Sequence, residues 1–323
     1  MGRILEEALE SLDHAVESTS GEHQQPRNLI ALADRVRQAL VERGVAPNEP
    51  VHLRIGNKPS DLGALLGIWQ VGAVAVPVHA LSASATLERG QRLSRARFLI
   101  DGDQVEILGS QAPPDRALLR GAALVIFTSG STGEPKGVVV GHGQLADKLS
   151  VLDRLLGIRT DDVVLCPLRL TFIFGLWVAL LTLMKGARLV LVPKFTSDAI
   201  GRSLLGATVL AGVPSMFRTL LAASAPPALG LRLILTGGEV LAPSLAGALR
   251  RLTPAAIHDL YGLTETGSCD FCLGPADQPQ GSGTIGVPTE RVAFRLARDG
   301  RAVAAGEIGE LQILTPFGML GYL

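Results

Sequence analysis

The chain has 323 residues, 47% of them hydrophobic and 19% charged, below the roughly 25% charge usual in soluble domains, so it can bury a large core as one or two domains. Thirty acidic and thirty basic side chains cancel, which speaks against a nucleic-acid or anionic-membrane partner. The N-terminus is acidic and helical in period rather than basic and then apolar, and the most hydrophobic stretch, 170–184, is shorter than the roughly 20 residues a bilayer span needs; no signal peptide or membrane span is read, and cytoplasm is the default.

Residues 1–25 read as an amphipathic helix followed by a polar, mobile stretch from Ser18 to Gln25. A helical period follows from Asn28 and stops at Gly44. Residues 50–55 form a short strand, and LGALLGIWQVGAVAVPV supplies a helix and a second strand, an alternation that predicts parallel packing. Another helix (87–93) and strand (97–100) lead to a linker over 111–116 that contains Pro113-Pro114.

The stretch 124–143, LVIFTSGSTGEPKGVVVGHG, is the one around which the chain is organised. β-Branched runs flank a glycine- and hydroxyl-rich loop, predicting a strand–loop–strand hairpin. The loop gathers amides freed by glycine, four hydroxyls and a cation, the equipment for holding a polyphosphate: Thr128, Ser129, Gly130, Ser131, Thr132, Gly133 and Lys136, one of only five lysines. A solvated turn is the alternative on composition alone. A Walker loop is excluded, because Gly130 and Gly133 stand too close and Gly137, not Ser or Thr, follows Lys136. TSGSTGEPKGV resembles the phosphate-binding signature of the adenylate-forming superfamily: acyl- and aryl-CoA synthetases, luciferases and the adenylation domains of peptide synthetases. Val71–Pro77 (VGAVAVP) resembles an opening strand of the same enzymes.

Beyond the hairpin, the pattern predicts a helix over 144–156, a strand over 163–166, a buried helix within 170–184, and strands over 187–192, 207–213 and 231–236. Gly237-Gly238-Glu239 closes the last of these, where open α/β sheets place ligands. The resemblance implies that this triplet borders both acyl and adenine sites. Residues 257–266, IHDLYGLTET, look like the family's YGxTE motif. There Tyr261 can stack on adenine, Asp259 can accept from its amino group, Thr264 can donate to a phosphate or to the acid, and Glu265 can ligate Mg²⁺; the resemblance counts Gly262 among both the nucleotide-binding and the acid-binding residues. In PLRLTFIFGLWV the resemblance puts Phe172, Phe174 and Trp177 beside the acid; the alternative, that these aromatics pack the core, stays open. Neither the aspartate of amino-acid-activating members nor the histidine of many aryl-CoA ligases is present there, so an α-amino acid is disfavoured.

From Gly283 onward, glycine-punctuated short strands read as an antiparallel subdomain ending in Gly321-Tyr322-Leu323. Cys269 and Cys272 form a single CxxC, weak as a zinc or redox signal by itself. The fold class expected is α/β: two stacked doubly wound subdomains over 26–282 and an antiparallel, barrel-like subdomain over 283–323, without the family's small C-terminal domain. No lysine follows Lys194 to serve as that domain's catalytic lysine, which reads as an excised or truncated core, impaired as given. The resemblance implies an acid–thiol ligase using ATP and Mg²⁺, with Lys136, Thr264 and Glu265 catalytic. Its partners would be a small carboxylic acid and the thiol of CoA. Rival readings are a stand-alone adenylation domain that loads a carrier protein's phosphopantetheine and a non-catalytic acyl- or nucleotide-binding protein.

Overall fold

The computed structural model describes residues 1–323 apart from 112, 129–134, 223–229 and 278–282. Two large sheets dominate it. The seven-stranded sheet runs, edge to edge, through Gly321–Tyr322, Lys136–Gly141, Ala122–Thr128, Val74–His79, Pro50–Ile55, Phe98–Asp101 and Gln104–Ile107. Its centre is parallel, and antiparallel partners close both margins. The nine-stranded sheet has a parallel centre, Ala256–Tyr261, Leu233–Gly237, Val209–Gly212, Val163–Cys166 and Arg188–Leu191 in spatial order. Phe271–Leu273 and Val287–Pro288 extend it antiparallel on one side.

The reason for this arrangement is visible in the helices. Pro59–Gln70 and Ile173–Met184 are apolar and buried on nearly every face, which requires a sheet or helix on each side. Both belong to one continuous core that takes side chains from the two sheets, so the sheets are stacked with helices between them. Pro26–Glu42, by contrast, buries one stripe (Leu29, Ala33, Val36, Leu40) and leaves its polar face outside. No helix among the described residues is long and apolar enough to cross a membrane.

The third sheet is small and antiparallel: Arg301–Ala302, Ala293–Arg298 and Glu310–Leu314. The glycine-punctuated region therefore contributes to three sheets, Val287–Pro288 belonging to the nine-stranded one. Part of it forms this separate sheet, and its end returns to lie beside the phosphate hairpin, with Gly321 opposite Val139 and Tyr322 opposite Val138.

One expectation is corrected. The polar stretch beginning at Ser18 is not loose: Val16–Ser18 and His23–Gln24 form a hairpin on the edge of the nine-stranded sheet, Glu17 opposite Val190. Val16 and Ser18 turn inward, while Glu17 stays outside and accepts from the Arg188 guanidinium at 2.8 Å. Polar composition suggested a loop, but an edge strand needs only one apolar face.

Candidate active site

The two strands expected around the glycine-rich loop form a hairpin. Ala122–Thr128 and Lys136–Gly141 pair antiparallel, with Thr128 opposite Lys136 at the last rung before the loop. Ser129, Gly130, Ser131, Thr132 and Gly133 lie outside the described residues. Lys136 is held at the mouth of the hairpin, its Nζ 5.1 Å from the centroid of the Tyr322 ring. The Tyr322 hydroxyl donates to Oε1 of Glu265 at 2.9 Å. One aromatic side chain thus bridges the hairpin lysine and the glutamate of the YGLTE loop.

Glu265 sits in a single 3₁₀ turn, Thr264–Thr266. The turn is fastened at several points. The Met319 amide donates to the Glu265 carbonyl at 2.7 Å, and Thr266 accepts from the Leu263 amide at 3.2 Å. Beneath it, the buried Lys148 ammonium and Asp270 carboxylate form an ion pair at 3.5 Å. Burial pulls both toward neutrality, lowering the lysine and raising the aspartate, while their mutual attraction opposes this.

Two cavities meet at this loop. The larger, about 420 Å³, is walled by Glu239, Val240, Asp259, Tyr261 and Ile285. The smaller, about 270 Å³, is walled by Leu168, Arg169, Phe172, Phe174, Val213 and Thr264. Gly238, Leu260 and Gly262 belong to both walls, so the two compartments adjoin. The shared wall needs glycine for two different reasons. Gly238 has φ +79°, which disfavours a side chain, and a Cβ on Gly262 would stand 2.3 Å from the Cys269 amide nitrogen.

The larger cavity presents a flat aromatic face and a carboxylate. Tyr261 is braced edge-to-face by Phe271, ring centroids 6.1 Å apart. Burial pushes the Asp259 carboxyl up to about 6. Glu239 is tied down on the wall by Ser215, whose hydroxyl donates at 2.6 Å and whose amide at 3.0 Å, and by Arg218 at 3.2 Å. The serine hydroxyl holds its carboxyl below the ordinary range. Gly237, the strand's last residue, is buried opposite Leu260.

In the smaller cavity the aromatics divide. Phe172, 53% exposed at the start of the helix Ile173–Met184, and Phe174 line the wall. Trp177 does not. It is fully buried in the core behind Phe174 and stacked on it at 5.1 Å: three residues further along the same helix face, it lies deeper in the core and Phe174 covers it. Among the described lining residues Arg169 is the only charged side chain, and none carries a carboxylate.

Several of these residues carry no role that the sequence alone assigns. Tyr322 stands there only as the end of a motif. Lys148 and Asp270 had a signal: Lys148 falls on the buried stripe of His142–Leu156 with Leu145, Leu149 and Leu152, where a lysine without a partner would be costly.

The AMP-binding enzyme family matches residues 13–117 and 107–323. This chain belongs to that family. Within the AMP-binding enzymes it is similar to the 2-succinylbenzoate–CoA ligase of Bacillus cereus (strain Q1), 32% identical over 315 residues, 88% of this chain and 63% of that one. A dimodular nonribosomal peptide synthase of Bacillus subtilis (strain 168) is 25% identical over 317 residues, 89% of this chain and 13% of that one. The chain spans 42% to 63% of the length of the curated ligases it resembles.

Among solved structures, it superposes on an anthranilate CoA ligase, AuaEII, in complex with anthranoyl-AMP, with a TM-score of 0.87 and 23% identity over 99% of this chain and 70% of that one. The O-succinylbenzoate coenzyme A synthetase MenE of Bacillus subtilis, in complex with AMP, gives a TM-score of 0.84 at 23% identity, covering 99% and 88%. These likenesses show that the fold is that of adenylate-forming enzymes.

Proposed function

We propose that this chain supplies the large domain of an ATP-dependent acid–thiol ligase. The observation that carries the reading is the juxtaposition of Lys136 at the mouth of the hairpin with Glu265, bridged by Tyr322, next to Thr264 on the wall of the smaller cavity. The larger cavity suits a nucleotide: Tyr261 offers a stacking face and Asp259 an acceptor for an exocyclic amine. The smaller takes the acid. Its lack of a carboxylate disfavours a substrate ammonium, and its Phe172, Phe174, Leu168 and Val213 favour an uncharged acyl or aryl body.

In this reading the substrate carboxylate oxygen attacks the α-phosphorus of ATP. The bond from that phosphorus to the β-bridging oxygen breaks, leaving acyl-AMP and pyrophosphate. Lys136 and the hairpin loop, including Ser129–Gly133, meet the phosphate charge, and Thr264 donates to the acid or a phosphate oxygen. Glu265 suits Mg²⁺, which takes one or two carboxylates and completes its shell with phosphate oxygens and water. The ion when bound lowers the charge on the triphosphate. A thiol, that of CoA, then attacks the acyl carbonyl carbon as its thiolate, the carbon–oxygen bond to the phosphate breaks, and the thioester and AMP leave. An acyl or aryl acid without a second charge fits this lining best.

Titration of the protein with Mg·ATP, AMP and a panel of carboxylic acids tests this, followed by ATP–pyrophosphate exchange with each acid. Binding of nucleotide together with acid-dependent exchange supports the ligase. Nucleotide binding without exchange under any acid favours a binding protein, and no nucleotide binding at all overturns both.

A further inference from the structure

The loop that carries Thr264 and Glu265 rests on a charged pair that lines neither of the two cavities. Lys148 donates to the Cys269 carbonyl at 2.9 Å, lies 3.5 Å from the Asp270 carboxylate and sits 4.9 Å from the Phe317 ring centroid. The lysine side chain is 1% exposed and the aspartate 0%. Asp270 accepts the hydroxyl hydrogen of Thr266, the last residue of the Glu265 turn, and its amide donates to the Tyr261 carbonyl at 2.7 Å. Between turn and pair, Ser268 and Cys269 hold φ of +65° and +53°, a conformation that side-chain-bearing residues keep only when their surroundings impose it. Thr289 adds a further clamp, its hydroxyl reaching the carbonyls of Cys269 and Asp270 at 3.1 Å each.

Stability alone does not explain such a pair, since a buried ion pair often does no better than apolar side chains of the same volume. Its placement suggests a different use. The helix His142–Leu156, which carries Lys148, continues directly from the strand Lys136–Gly141, which begins at Lys136. A short path of covalent chain and buried contacts therefore runs from Lys136 through Lys148, Asp270 and Thr266 to Glu265.

We propose that Lys148 and Asp270 are positioning residues for the reaction, holding the Glu265 turn in register with the phosphate hairpin. The proposal rests on the reading of Lys136 and Glu265 as facing Mg·ATP. It adds that their separation is set from below, by a pair that never touches the nucleotide.

The test compares ATP affinity with and without MgCl₂, AMP affinity and the urea midpoint in wild type, Lys148→Met/Asp270→Leu, Thr266→Val and Thr266→Ser. The double variant replaces the pair by apolar side chains and should keep a near-wild-type midpoint while losing about tenfold in Mg²⁺-dependent ATP affinity, the scale seen when a ligand's supporting partner is removed. AMP affinity should stay close to wild type. Thr266→Val should weaken Mg·ATP in the same direction, and Thr266→Ser, which keeps the hydroxyl, should restore it. Folded variants with wild-type Mg·ATP affinity overturn the proposal, as does an equal fall in AMP affinity, which would mark a merely structural pair. Should the double variant not fold, the Thr266 variants decide alone by the same criteria. A wild-type protein whose ATP binding ignores Mg²⁺ removes the functional reading itself, a result distinct from either.

Discussion

Tyr322 and Glu265 meet through one hydrogen bond, hydroxyl to Oε1 at 2.9 Å, across 57 residues of sequence. The same ring lies 5.1 Å from Lys136 Nζ, so the tyrosine orients the carboxylate and faces the cation together. Tyr322→Phe keeps the ring and deletes the donor. Mg·ATP affinity should fall a few-fold, the scale of one net hydrogen bond, and Tyr322→Ala should cost more. Both variants should hold their urea midpoints, because the side chain is largely at the surface. Calorimetric titration checks the order; Phe and Ala behaving alike would mean the ring contact is idle.

Asp259 makes a pH-dependent prediction. Burial raises its carboxyl from 3.8 to about 6. The folded state therefore holds the proton to higher pH than the unfolded chain does, and stability declines as pH climbs through that window, with the whole penalty present above it. Asp259→Asn should be more stable than wild type at neutral pH by ~1 kcal/mol, after discounting full linkage for partial exposure. The gain should vanish below pH 3.8. AMP should bind the variant a few-fold more weakly, since a neutral amide accepts less strongly than a carboxylate. Urea melts at both ends of the window give the sign; a gain independent of pH would remove the burial explanation.

Gly262 should tolerate no side chain. Its added Cβ would meet the backbone at Cys269, 2.3 Å away, and at Ser268, 2.7 Å away, and backbone cannot rotate aside. Gly262→Ala should lose roughly 2 kcal/mol or more of stability, as strained backbone substitutions do. AMP affinity should fall with it, because the residue belongs to both cavity walls. A wild-type urea midpoint would show that the close approach relaxes freely.

Phe172 and Trp177 should separate specificity from packing. Phe172 is 53% exposed on the cavity wall, so Phe172→Ala should alter which acids bind while barely moving the midpoint. Trp177 has no exposure, and Trp177→Ala should cost about 3–5 kcal/mol, the range for a large aromatic removed from a core. A shared effect, stability and acid profile moving together in both, would merge the two roles.

The elements were legible wherever period and punctuation agree. The β-branched runs around the Ser/Thr/Gly loop become antiparallel strands, and the alternation before it becomes the parallel centre of a sheet. Legibility failed at residues 16–24, where an edge hairpin has the composition of a loop, and at Trp177, which lies behind the cavity-lining Phe174 on one apolar helix. A uniformly apolar segment carries no amphipathic stripe to say which aromatic faces the void.

By its residues alone the chain determined its strand and helix periods, the hairpin with Lys136, the YGLTE loop and hence its family, because each is a property of consecutive residues. Tertiary structure decided everything that pairs distant segments: Tyr322 between Lys136 and Glu265, Lys148 beneath Asp270, and the wall at Gly238 and Gly262 shared by two cavities. Local pattern reports which side of an element shuns water. Which other element covers that side follows only from how the sheets and helices close on one another.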